Sequence, residues 1–260
     1  MTYIDSVVAL REEQQSVAED VISAAIRAQV SSSLLQIRDG VAVWVDPKPL
    51  EEATRRVATQ VFRASFSLSM DTFAPSVKAA FIVGEDDLLR YLQAVGMAKV
   101  RVINETTRRM LLEEVLLGLE EGLDNYGIAQ RLYDRWIAGG RDPSDGPVTR
   151  FRTEVIARTE IAAASNAGGL SGAQQAGMTH KVWASIRDSR TRDGHDGRRY
   201  DHFSNYDEET GLGANGQIRL IHEPFVISGE QLMFPGDTGL GASVGNVAMC
   251  RCAMTYKFKR

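Results

Sequence analysis

The chain has 260 residues, 43% hydrophobic and 25% charged, which excludes a disordered tail and fits one large globular domain or two small ones. Its net charge of −4 gives no overall basic excess for holding nucleic acid or an anionic membrane. No apolar run approaches the roughly 20 residues of a bilayer span, and residues 1–12 lack the basic start and apolar stretch of a secretory signal, so an intracellular setting without a membrane is expected.

The first half reads as helices. Val17, Val21, Ile22, Ala25 and Ile26 have helical spacing and predict a helix over 16–35. Residues 41–49 break it, with alternating valines before two prolines. A second amphipathic stretch starts at Leu50 and runs through Ala53, Val57, Val61 and Leu68. Residues 86–119 predict one long helix or two abutting ones, closed by Gly122. Asp124 or Asn125 can cap a further helix to about Ile137. The segment 139–147 (GGRDPSDGP) is a loop, and Pro147 sits where a helix would start. A helix over 148–175 is predicted to be continuous and to pack Phe151, Val155, Thr159, Ala162 and Asn166 on one side, against a small sheet containing Trp183 and Cys250.

After Gly177 the pattern changes to short strand candidates at 180–186, 217–221, 224–227 and 247–258, set among dense glycines. The fold class is therefore α+β: a helical N-terminal half, then a helix packed on a small, loop-rich β-sheet. Cys250 and Cys252 are the only cysteines and are too close in sequence to predict a structural disulfide. On a strand both thiols would face one side, with Ala248 and Met254, while Arg251 faces the other.

Five clusters occur in order: Arg158-Thr159-Glu160 followed by Asn166; Trp183; Asp188-x-Arg190-x-Arg192 with His195 and Gly197; Pro235-Gly236-Asp237; and Cys250-Arg251-Cys252. Together they resemble the head-morphogenesis domain of the phage Mu protein F-like family, over about residues 120–256. One departure is visible: the family usually has Asn just before the terminal Cys-Arg-Cys, and here Met249 takes that place, with Asn246 three residues earlier; if that Asn caps a turn in the family, the turn here must be held differently. The resemblance divides the chain into a helical N-terminal region, 1–119, facing portal or capsid, and the family domain, 120–260.

The function it implies is that of a minor capsid, head-morphogenesis component of a tailed bacteriophage. It would act inside the head or at the portal vertex of the virion and be assembled in the host cytoplasm. The implied partners are the portal protein and capsid or scaffold proteins. Five arginines against three aspartates over 187–199 are a small excess for duplex binding, and leave transient contact with packaged DNA as the most that loop suggests.

Buried charges persist only when paired and hydrogen-bonded. Arg158, Glu160, Asp188, Arg190, Arg192 and Asp237 are therefore read as one polar network pinning loops to the helix, with Arg158 expected to meet Asp188. The rival reading makes the same residues the active site of an enzyme, ADP-ribosyltransferase-like or hydrolytic, on the same module. No nucleophile–base pair or phosphate-cradling glycine loop accompanies them, and the chain stops eight residues past Cys252, so no catalytic residue is assigned. Two readings of the thiols stay open. With His195 and a fourth ligand, Asp188 or another histidine, Cys250 and Cys252 could hold zinc. Alternatively both are small buried hydrophobes, and the scattered second ligand pair gives this reading more weight.

Overall fold

The computed structural model describes residues 2–40, 44–75, 85–138, 149–186 and 214–258. In order they form α1 (Tyr3–Arg38), α2 (Lys48–Phe73), α3 (Glu85–Tyr91), α4 (Met97–Glu120), α5 (Asn125–Tyr133), α6 (Arg150–Gln175), β1 (His180–Ala184), β2 (Ile218–Leu220), β3 (Phe225–Ile227), β4 (Glu230–Leu232), α7 (Val244–Val247) and β5 (Ala253–Lys257). Wider π-helical turns over Leu92–Gly96 and Asp134–Ala138 join α3 to α4 and extend α5. The α+β expectation, with a helical first half and a small antiparallel sheet, holds. None of the described helices is long and apolar enough to cross a membrane.

The chain forms two compact units, and neither is contiguous. Unit 1 comprises Met1–Ser16, Val57–Val95 and Arg158–Arg260; unit 2 comprises Val17–Arg56 and Gly96–Ala157. These units cut across a line drawn at 119/120, because α1, α2 and α6 each contribute residues to both.

In unit 2, α1 buries Ala18, Ile22, Ala25, Ile26, Val30, Leu34 and Ile37, a stripe of three- and four-residue steps. Gln29 lies in that stripe and is fully buried. Its side-chain amide donates to the Asp46 carbonyl (2.6 Å) and to Asn104 Oδ1 (2.9 Å). Gly122, at φ 79°, ends α4, and Asp124 caps α5 by accepting from the Gly127 N–H at 2.7 Å. Gly118 lets α4 meet α5: a Cβ there would lie 2.6 Å from Ile128 Cγ1.

Unit 1 is built around α6, whose run of small residues lets α2 come in to backbone contact. A Cβ on Gly168 would lie 2.2 Å from the Phe62 carbonyl oxygen, and one on Gly172 would lie 2.7 Å from that of Phe66. Ser65 Oγ donates to Ser165 Oγ at 3.0 Å, and Ser69 Oγ donates to the Gly169 carbonyl at 3.0 Å. The sheet has the order β2-β1-β5, all antiparallel, with Val182 opposite both Ile218 and Thr255. β3 and β4 form a separate hairpin turning at Ser228 (φ 49°) and Gly229 (φ 80°), the two-residue turn with both φ positive that suits strand twist. Trp183 of β1, 1% exposed, meets the Phe225 ring edge-on at 5.3 Å. Gln217 joins sheet to hairpin by donating to the Val226 carbonyl and accepting from its N–H, both at 3.0 Å.

Two packing expectations need correction. The long helix is continuous over Arg150–Gln175, but Phe151 is 71% exposed. The buried positions of its first turns are Thr153, Ile156 and Ala157, which at 100° per residue lie roughly opposite Phe151. Cys250 is not on the sheet. The terminal strand begins at Ala253, because the helical turn α7 and the left-handed backbone of Met249 (φ 57°) interrupt the extended run predicted over 247–258.

Candidate functional site

Among the described residues, the α6 cluster, the Pro-Gly-Asp loop and the Cys-Arg-Cys segment meet in unit 1 around two polar side chains, Asn166 of α6 and Arg11 of α1. The Asn166 amide donates to the Pro235 carbonyl (2.9 Å) and to the Cys252 carbonyl (3.1 Å), so one side chain ties the helix to both the Pro-Gly-Asp loop and the Cys-Arg-Cys segment. Its Oδ1 accepts from Arg11 Nη2 at 2.8 Å. The rest of the Arg11 guanidinium donates to Ser165 Oγ and to the carbonyls of Arg251 and Cys252, each at 3.1 Å. Burial depresses the Arg11 pKa below the usual guanidinium range, partly offset by Cys250, Cys252, Tyr3 and Tyr256.

The Pro-Gly-Asp loop and Thr159 have defined mechanical roles. Asp237, 2% exposed, folds its own loop: Oδ2 accepts from the Met233 N–H at 2.8 Å and Oδ1 from the Gly239 N–H at 2.7 Å. Gly236, at φ 90°, passes so close to α6 that a Cβ would lie 3.1 Å from that of Ala163. Thr159 Oγ1 accepts from the Met249 N–H at 2.9 Å. This is how the turn before Cys-Arg-Cys is held where the family usually has Asn. Met249 takes the left-handed conformation there, one that Asn tolerates better than Met does.

Cys250 and Cys252 are both buried and are not bridged to each other, with Arg251 between them partly exposed. The inward alternation expected of a strand thus persists in an irregular segment. The Cys252 pKa is pushed up by a hydrogen bond shared with the Cys250 thiol and then by burial; the Trp183 indole and Arg11 act against this. Beneath the sheet Lys181 is fully buried. Its ammonium donates to the Met233 carbonyl at 2.7 Å and lies 5.0 Å from the centre of the Phe225 ring. Burial lowers its pKa to about 7, against the opposing pull of Asp237 and Glu223. The Tyr91 pKa is raised by burial and then by the nearby charges of Glu160 and Asp237.

Of the residues singled out from sequence, Arg158 lines a cavity of ≈ 220 Å³ with Arg11, Arg251, Glu12 and Cys250. Glu160, 1% exposed, lies on the other side of α6, towards Tyr91 and Asp237. Asp188, Arg190, Arg192 and His195 lie outside the described residues, as does the expected Arg158–Asp188 contact. The zinc expectation is therefore represented by its two thiols. Among the described residues no three or more His, Cys, Asp or Glu side chains gather as metal ligands. Sequence reasoning missed Arg11. Its signal was a lone arginine in the stripe Val7, Arg11, Ala18, Ile22, whose other members are apolar and buried.

What the arrangement does chemically is hold backbone: Asn166, Asp237, Thr159 and Arg11 all bond to main-chain carbonyls or N–H groups. No curated protein and no solved structure matches the chain. The sequence model described as "Phage Mu protein F like protein" matches residues 109–255, more than half of the chain and every cluster in this hub except Arg11. The chain belongs to the phage Mu protein F like family, a family of phage head morphogenesis.

Proposed function

We propose that this protein is a minor capsid component acting inside the head or at the portal vertex while the head assembles. The observation that carries the reading is the family match over 109–255. Unit 2 supports a docking role: Leu35, Trp44, Val102, Leu116, Tyr126 and Phe151 all lie in it and are exposed large hydrophobic side chains. A partner docked on this unit would take such side chains out of water. The partners inferred are the portal protein and neighbouring capsid or scaffold proteins.

The test is co-assembly of the tagged chain with the portal, scaffold and major capsid proteins of the same phage, followed by imaging of the purified heads. The reading expects density of this protein at the portal vertex or inside the shell, and malformed heads when it is omitted. Normal heads without it, together with its absence from purified particles, would overturn the reading.

A further inference from the structure

The outer side of α4 carries apolar and charged residues in an order that the stability of the helix itself does not explain. At about 100° per residue, Val102, Glu105, Arg109, Glu113, Leu116 and Glu120 fall on one stripe along the helix. All are exposed, Val102 by 58% and Leu116 by 60%. Val100, Thr107, Leu111 and Gly118 lie on the opposite side and are buried. The exposed charges are sorted by sign. Arg101, Arg108 and Arg109, with Glu105 among them, occupy the N-terminal half; Glu113 and Glu120 occupy the C-terminal half. No acidic residue stands in the first turn and no basic one in the last. That order opposes the helix dipole, which favours acidic residues early and basic ones late. Internal pairing does not account for it either. Arg109 meets Glu113 only at 3.9 Å, with the two side chains 69% and 64% exposed, and Arg before Glu is the weaker order for such a pair. Arg101 and Glu120 make no ion pair among the described residues. Glu114, outside the stripe, already has Arg131 at 3.8 Å and Arg135 at 3.2 Å.

We propose that this face of α4 binds the same face of a second copy of the chain, antiparallel, about a two-fold axis near Leu111. The face is complementary to itself in that orientation alone. A parallel pair would set Arg109, Glu113 and Glu120 each against its own kind. The antiparallel pair sets Arg109 across from Glu113 of the second copy, and the two-fold repeats the contact. Within about one residue of that register, roughly 1.5 Å along the axis, Arg101 comes level with Glu120 and Val102 with Leu119, itself 53% exposed. Sliding the pair by about one helical turn either way brings Arg109 onto Arg109 or Glu113 onto Glu113, so like charges exclude the neighbouring registers. The 24 residues of α4 give a contact up to about 36 Å long. Nothing in this pairing depends on a role in head assembly.

The experiment is sedimentation velocity on the full chain over a wide range of concentration, with far-ultraviolet circular dichroism of every variant to show that it is folded. The parent is expected to pass from monomer to dimer as concentration rises. Arg109→Glu and Glu113→Arg each place like charges across the contact and should each weaken dimerisation about tenfold or more. Leu116→Ser changes no charge, should weaken it as well, and decides the matter if a charge reversal fails to fold. An equimolar mixture of the Arg109→Glu and Glu113→Arg chains has opposite charges at both symmetry-related contacts. It should form a heterodimer at concentrations where neither chain dimerises alone. A parent that stays monomeric throughout, a dimer unaffected by Leu116→Ser, or two reversed chains that do not recover on mixing would overturn the proposal. A monomeric parent that instead binds the portal protein through Leu116 also overturns it, and assigns the face to that partner.

Discussion

Replacing Arg11 by methionine tests whether the first helix is a structural member of the family hub. Methionine keeps the length and apolar stem but removes four hydrogen bonds, at 2.8 to 3.1 Å. Two of the acceptors keep other donors: Ser165 Oγ still receives Ser65, and the Cys252 carbonyl still receives Asn166. Asn166 Oδ1 and the Arg251 carbonyl each lose the guanidinium. Uncovering two buried or half-buried acceptors costs about 1–3 kcal/mol apiece. Relief from burying the guanidinium works the other way by an amount of similar order. The native arginine makes four hydrogen bonds from a charged donor, at about 1.5–3 kcal/mol each, which outweigh that relief; the expected loss is about 3 kcal/mol, or roughly 6–12 °C in Tm for a chain of this size. Urea denaturation followed by far-ultraviolet circular dichroism gives the number. Arg11→Lys separates charge from geometry: an ammonium keeps the charge but lacks the planar fork, so it should be at least as destabilising as methionine. A methionine variant within about 0.5 kcal/mol of the parent, or a lysine variant that restores stability, would refute the assignment.

Three further outcomes follow from single positions. Met249→Gly should raise stability by about 0.5–1 kcal/mol in thermal melts, since the left-handed backbone at φ 57° costs a side-chain-bearing residue about 1–2 kcal/mol and glycine's extra unfolded freedom returns part of that gain. Gly168→Ala should cost about 3 kcal/mol or more in denaturant titrations, because its methyl would meet the Phe62 carbonyl oxygen at 2.2 Å, backbone that cannot rotate aside. Lys181 should make stability rise with pH. Its folded pKa of about 7 lies below the 10.5 of the free side chain, so between those values the unfolded chain binds the extra proton and the folded state gains as pH increases. The gain is up to about 4–5 kcal/mol and vanishes below about pH 7, where both states are protonated. Urea melts at pH 7 and pH 9 should show it in the parent and not in Lys181→Met.

What the sequence made legible was whatever depends on local period. The three-to-four spacing of Val21, Ile22, Ala25 and Ile26 locates α1, and alternation in residues 180–186 locates β1. The start of α1 was placed late, at 16 rather than Tyr3, because residues 11–15 (REEQQ) are polar and their one inward member, Arg11, looks like surface. Asn166 and Asp237 could be marked as important from the resemblance, but not what they hold, since their partners are main-chain atoms that have no sequence signature. The close approach of α2 to α6 was equally hidden. Gly168 and Gly172 are one helical turn apart, but a glycine pair shows that a backbone can approach, not which one does.

The dispersion of unit 1 along the chain has a consequence for synthesis. Arg11 leaves the ribosome near the beginning, yet its acceptors lie 154, 155 and 241 positions later in the sequence. Contacts of that separation form only after the intervening loop entropy has been met, so this unit cannot close while the chain is still growing. A nascent or prematurely terminated polypeptide that ends before Cys252 leaves the first helix with a guanidinium and no place to bury it. Closure of this hub therefore waits on the Cys-Arg-Cys segment, and a fragment cut to the family boundaries 109–255 lacks both Arg11 and the serines of α2.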